Sequence, residues 1–131
     1  MPFGSQVNRV LIVEGYLDIA DLLQQMVSEL DFEAVVATDL KVAAAEALNA
    51  DVCCALLAVN FGLQKSYSVA DILATRRIPF AFVNSQGRSG LDRAYRSRPV
   101  LLKPFNRQQV LEVIDFLVRE ANQEGSTADR N

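Results

Sequence analysis

The sequence predicts an α/β domain in which a five-stranded parallel sheet lies between two layers of helix, and three observations predict it. Short apolar runs break off at polar or glycine-containing stretches, as strands buried on both faces do; Cys53 to Asn60 is the clearest such stretch. Segments of helical periodicity separate these runs, so strands and helices alternate. The 131 residues contain no repeat and no second block, and that length holds one domain with a proper core.

Arg9 to Val13 is a compact β-branched run and the first strand; Glu14, Gly15 and Tyr16 end it. Asp18 to Leu30 places Ile19, Leu22, Leu23, Met26 and Leu30 at helical spacing, with polar residues between them. Ala34 to Ala37 reads as the second strand. Thr38 or Asp39 is the natural cap for an alanine-rich helix over Lys41 to Leu48. The third strand runs from Val52 to Ala58. Ser68 is placed to cap a helix over Val69 to Arg76, whose arginine end suits the negative helix terminus. Ile78 to Val83 is the fourth strand, with Pro79 tolerable only at its start. Asn84 to Gly90 reads as a loop, and Leu91 to Tyr95 as one or two helical turns. Pro99 to Leu102 is a short fifth strand. Asn106 caps a last helix over Gln108 to Ala121, with Val110, Val113, Ile114 and Leu117 on one stripe and Leu111 and Val118 beside it.

These elements give residues 9–121 as the domain, residues 1–8 as an N-terminal extension and residues 122–131 as a flexible C-terminal tail. Right-handed crossovers leave few topologies, and the flavodoxin-like strand order 2-1-3-4-5 is the common one at this size. That order delivers Glu14, Ala58, Asn84 and Lys103 to the carboxyl edge of the sheet, where ligands and chemistry sit in open α/β folds.

The net charge of −3 and the lack of a broad basic face argue against general nucleic-acid binding. No segment reaches transmembrane length and the N-terminus lacks the pattern of a signal peptide, so a cytoplasmic protein with no membrane partner is expected. The adjacent Cys53 and Cys54, read within a strand, would point to opposite faces and stay reduced. The chain contains no histidine, which excludes a phosphohistidine role.

Four blocks in order and spacing, RVLIVEGYLDIADLLQQM, DVCCALLAVN, IPFAFVNSQG and RPVLLKPF, resemble the receiver domain of two-component response regulators. Lys103-Pro104-Phe105 after a short strand is the most specific of them. The resemblance covers about Arg9 to Glu120 and implies the CheY-like fold with about five helices, at the output side of a histidine-kinase pathway. It also implies a site: an acidic pair and an aspartate that hold Mg²⁺, the aspartate being the phospho-acceptor, with a Ser/Thr and a Lys that contact the phosphoryl group. Clustered carboxylates bind a hard cation through oxygen, and cation and ammonium neutralise the phosphoryl charge.

Transferred position by position, the site is depleted. The acidic pair falls on Glu14 and Gly15, the phospho-acceptor on Ala58, and the Ser/Thr on Asn84, while Lys103 is kept. Asn60 matches the residue whose backbone carbonyl reaches the metal, and Val100 stands at the aromatic switch position. No Mg²⁺ or other cofactor is expected, Glu14 being a weak candidate ligand by itself. With no nucleophile, metal set or cofactor fingerprint, an enzyme is not expected.

The expectation is therefore an atypical single-domain receiver that works by protein–protein contact and is not phosphorylated at the usual site. Its partner would be a histidine kinase or another regulator, with a homodimer as a further option. The candidate interaction face comprises Tyr95, Arg96, Arg98, Phe105, Leu111 and Val118. The alternative is a sensor of a small ligand or anion, anchored by Lys103 and Asn84 in the depleted pocket.

Overall fold

A computed structural model describes the backbone of residues 8–130 and the side chains of residues 8–122. The sheet strands are β1 (Arg9–Val13), β2 (Glu33–Ala37), β3 (Cys54–Ala58), β4 (Phe80–Asn84) and β5 (Val100–Leu102). All neighbours are parallel and the order is 2-1-3-4-5, as the pattern of short apolar runs predicts. Among the described residues four α-helices accompany them: α1 (Leu17–Glu29), α2 (Leu40–Asn49), α3 (Tyr67–Thr75) and α4 (Arg107–Arg130).

Every residue of β3 and β4 is buried, because helices cover both faces of the sheet centre. Period-two alternation splits their side chains between two cores. Leu11, Val13, Ala55, Leu57, Phe80 and Phe82 face α2 and α3, where Ala43, Ala47, Val69, Ala70 and Leu73 meet them. Val10, Ile12, Cys54, Leu56, Ala81 and Val83 face α1 and α4, against Leu23, Val27, Val110, Ile114 and Leu117. Alanine at the contact positions of α2 lets that helix lie close to the sheet.

Several elements differ from expectation for local reasons. On α1 the buried stripe is Ala20, Leu23 and Val27, so Leu22 is turned out to solvent. Asp39 is the cap of α2, its carboxylate accepting from Val42 N–H at 2.8 Å. Ser66, not Ser68, stands at the start of α3, and its hydroxyl makes no capping bond. Cys53 lies in a bend ahead of β3, so both thiols sit against the α1/α4 core rather than on opposite faces. A two-residue hairpin, Asn60–Phe61 against Gln64–Lys65, follows β3, with Gly62 at φ +63° providing a backbone that other residues adopt at a cost. Between β4 and β5 there is no α-helix, only the 3₁₀ turns Gly87–Gly90 and Arg93–Tyr95, so the described residues form four α-helices rather than about five. The backbone of α4 continues helical to Arg130, through the segment expected to be a tail. The expected extension lies outside the described residues except for Asn8, as does Asn131.

Candidate functional site: a depleted carboxyl-edge pocket

Strand register sets the pocket. Val13 pairs with Leu57, Ala58 with Val83 and Asn84 with Leu102, so the four strand ends come level. Glu14 N–H extends the ladder to Ala37 O at 3.1 Å, and Lys103 N–H extends it to Asn84 O at 2.8 Å. Glu14, Ala58, Asn84 and Lys103 thus meet at one edge.

Glu14 is the chemical centre of this edge. Its side chain is 1% exposed, and one carboxylate oxygen, Oε2, accepts from Tyr16 N–H at 3.2 Å. The other, Oε1, stands 3.3 Å from Lys103 Nζ, an ion pair whose geometry falls short of a hydrogen bond. Burying a carboxylate costs several kcal/mol unless a charge and hydrogen bonds compensate it, and here Lys103 and the Tyr16 amide do so. Tyr16 adds its ring, whose centroid is 5.7 Å from Lys103 Nζ.

The neighbouring positions are held by local contacts. Ala58 is buried and ends in a methyl group. A Cβ on Gly15 would lie 3.1 Å from Phe61 Cδ2, so the Phe61 ring lies over the place of a second carboxylate. Asn60 accepts a short hydrogen bond from Lys65 within the hairpin. Asn84 turns its side chain on its own loop: Oδ1 accepts from Gly87 N–H at 2.9 Å, and Nδ2 donates to Gly87 O at 3.1 Å. One carboxylate that already has a lysine partner does not fit Mg²⁺, which demands near-octahedral oxygen ligation. Among the described residues, no group of three acidic, histidine or cysteine side chains is placed to hold a metal.

The remaining candidates are spread over the molecule. Val100 is half-buried against the α2/α3 core. Tyr95 stacks on Tyr67 with ring centroids 5.1 Å apart and an interplanar angle of 1°, and it meets Phe80 and Phe82. Arg96 Nε donates to Leu91 O at 3.0 Å. Arg98 is a strut: its guanidinium donates to Phe80 O, lies 5.0 Å from the Phe80 ring centroid and forms a two-pronged pair with Glu120 at 2.7 and 2.8 Å. That hydrogen bond holds the Glu120 carboxyl below its ordinary value of 4.5 despite partial burial. Phe105 and Val118 pack against the α1/α4 core, while Leu111 is 38% exposed. Leu111 and Val118 share the helix side of Arg107, which pairs with Glu29 of α1 at 2.6 Å. They therefore face α1 rather than the β5 edge where Arg98 lies.

The sequence reading missed Tyr16, Phe61 and Lys65, whose parts depend on loop geometry. The one available signal was Gly62 after an apolar residue, a turn mark.

No family model matches the chain, and no curated protein matches it. Solved structures do. SdrG from Sphingomonas melonis Fr1 is 34% identical, with a TM-score of 0.76, over 86% of this chain and 97% of that one. The chain belongs to the response regulator receiver family. The receiver also matches SdrG in its BeF₃-activated conformation, at 34% identity and a TM-score of 0.74, over 87% and 98% of the two chains. A CheY-like response regulator receiver domain protein from Methanospirillum hungatei JF-1 shares the fold at 20% identity and a TM-score of 0.79, over 91% and 99%.

Proposed function

We propose that this receiver signals through protein–protein contact without phosphorylation at the usual aspartate position. The observation that carries the reading is the methyl group of Ala58 at the end of β3, beside the Glu14–Lys103 pair. No carboxylate stands there to take a phosphoryl group, and the lysine that would neutralise it is already paired with a buried carboxylate. A receiver is a two-state element that phosphate biases. Here the charge that biases the element is built in, so a partner's binding energy replaces phosphate as the input.

Exposed apolar side chains at the same edge support contact as the output. Tyr16 and Leu17 are each 65% exposed at the start of α1, and Leu102, just before Lys103, is 50% exposed. A histidine kinase or another regulator is the expected partner class, with no metal or cofactor and no catalysis required. An anion sensor anchored by Lys103 and Asn84 is disfavoured, since it would have to part Lys103 from Glu14 and open the Asn84–Gly87 turn.

SdrG has a BeF₃-activated conformation; this receiver, lacking the acceptor, should have no acyl-phosphate state. Incubation with acetyl phosphate and Mg²⁺ followed by intact-protein mass measurement tests the point. The unmodified mass is expected, and a phosphate-sized adduct lost on mild alkaline hydrolysis would contradict the proposal.

A further inference from the structure

At the opposite, amino-terminal edge of the sheet, a cleft of about 240 Å³ opens between the end of α3, the start of β4 and the Arg93–Tyr95 turn. Ala94 and Tyr95 of the Arg93–Tyr95 3₁₀ turn form one wall of it. Ile78, Pro79, Phe80 and Tyr95 give it an apolar lining, and charged groups stand at its rim.

We infer that this cleft is a ligand site of the receiver, built for a small apolar monocarboxylate of one ring or one short branched chain. Three observations point there. The volume lies below the roughly 300–1,000 Å³ of pockets for drug-sized ligands, which limits the guest to a small body. The lining offers aromatic and aliphatic surface for that body. The rim has two guanidiniums and one carboxylate, and the Arg98 charge is cancelled by Glu120. Arg77 remains, and none of the ion pairs among the described residues uses it. It sits at φ +60°, a left-handed conformation that ends α3 and turns the chain at the cleft rim. A single uncompensated guanidinium beside an apolar hollow complements one carboxylate on an apolar body. Tyr95 connects the cleft to the rest of the β4–β5 connection, because it stacks on Tyr67, whose hydroxyl accepts from Asp92 N–H at 2.8 Å.

The probes are benzoate and its neutral isostere benzyl alcohol, titrated into the ¹⁵N-labelled full chain while amide shifts are followed. Benzoate should give saturable shifts at Ala74, Arg77, Ala94 and Tyr95, and benzyl alcohol should bind more weakly. Arg77→Asn removes the charge with a residue that tolerates the left-handed backbone, and should weaken benzoate binding about tenfold, the worth of a charge-assisted hydrogen bond. Ala94→Leu, at an exposed position, should fill the cleft and abolish the shifts. The inference is overturned by shifts that do not saturate, by equal binding of the two probes, by shifts centred on Glu14 and Lys103, or by Ala94→Leu binding like the parent.

Discussion

Lys103 Nζ lies 3.3 Å from Glu14 Oε1, and the glutamate is buried while the lysine is 22% exposed. The pair joins the end of β5 to the end of β1 across two intervening strands. Removing the lysine leaves a buried carboxylate with one amide donor, whereas removing the charge on the glutamate leaves an amide that can still accept from Tyr16 N–H. Lys103→Met should therefore destabilise the receiver by about 1–3 kcal/mol, and Glu14→Gln by less. Urea unfolding of both variants checks the order.

Reinstating the acceptor should not restore the family's chemistry. Ala58→Asp would bring a second carboxylate to a buried edge that already has Glu14, with one lysine for both. We expect a lower melting temperature than the parent and no acyl phosphate with acetyl phosphate and Mg²⁺. Adding Gly15→Asp would require the Phe61 ring to move, since its Cδ2 lies 3.1 Å from the new Cβ.

The Arg98–Glu120 pair predicts a specific acid dependence. Because the folded carboxyl is held below 4.5, the unfolded chain binds the proton more readily, and the pair's contribution is present above 4.5. It is lost as pH falls from 4.5 through the lower folded value. Glu120→Gln should be less stable than the parent at neutral pH, with the two curves converging on acidification. Denaturant midpoints against pH measure this.

Tyr67→Phe should keep the stack on Tyr95 but release the Asp92 amide, at a cost of about 1 kcal/mol. Amide hydrogen exchange at Asp92 should accelerate, with little change at the amides of β3.

Much of this arrangement was legible from residues alone, because two-faced burial writes itself into sequence. Arg9–Val13 is a strand with the bounds its pattern predicts, and the parallel order follows from the alternation of strands and helices. The same order predicted that Glu14 and Lys103 would share an edge. What escaped depends on contacts without a local signature. Arg98 belongs to the candidate interaction face on sequence grounds, yet its partners Phe80 and Glu120 lie 18 and 22 residues away. Asn84 is a ligand anchor only in the alternative sensor reading, and a three-residue turn uses its whole amide. Leu111 and Val118 stand with Tyr95 and Arg98 in the candidate interaction face, but the Arg107–Glu29 and Arg98–Glu120 pairs rotate α4 so that they lie on its other side.

Backbone-amide NMR with Mg²⁺ and then beryllofluoride tests the built-in pairing most directly. If Lys103 is committed to Glu14 and Ala58 offers no acceptor, the amides of Glu14, Ala58, Asn84 and Lys103 stay where they are through both additions. Saturable shifts at those four amides would contradict it, and would mean that the edge still binds metal and phosphoryl mimic as a working receiver does.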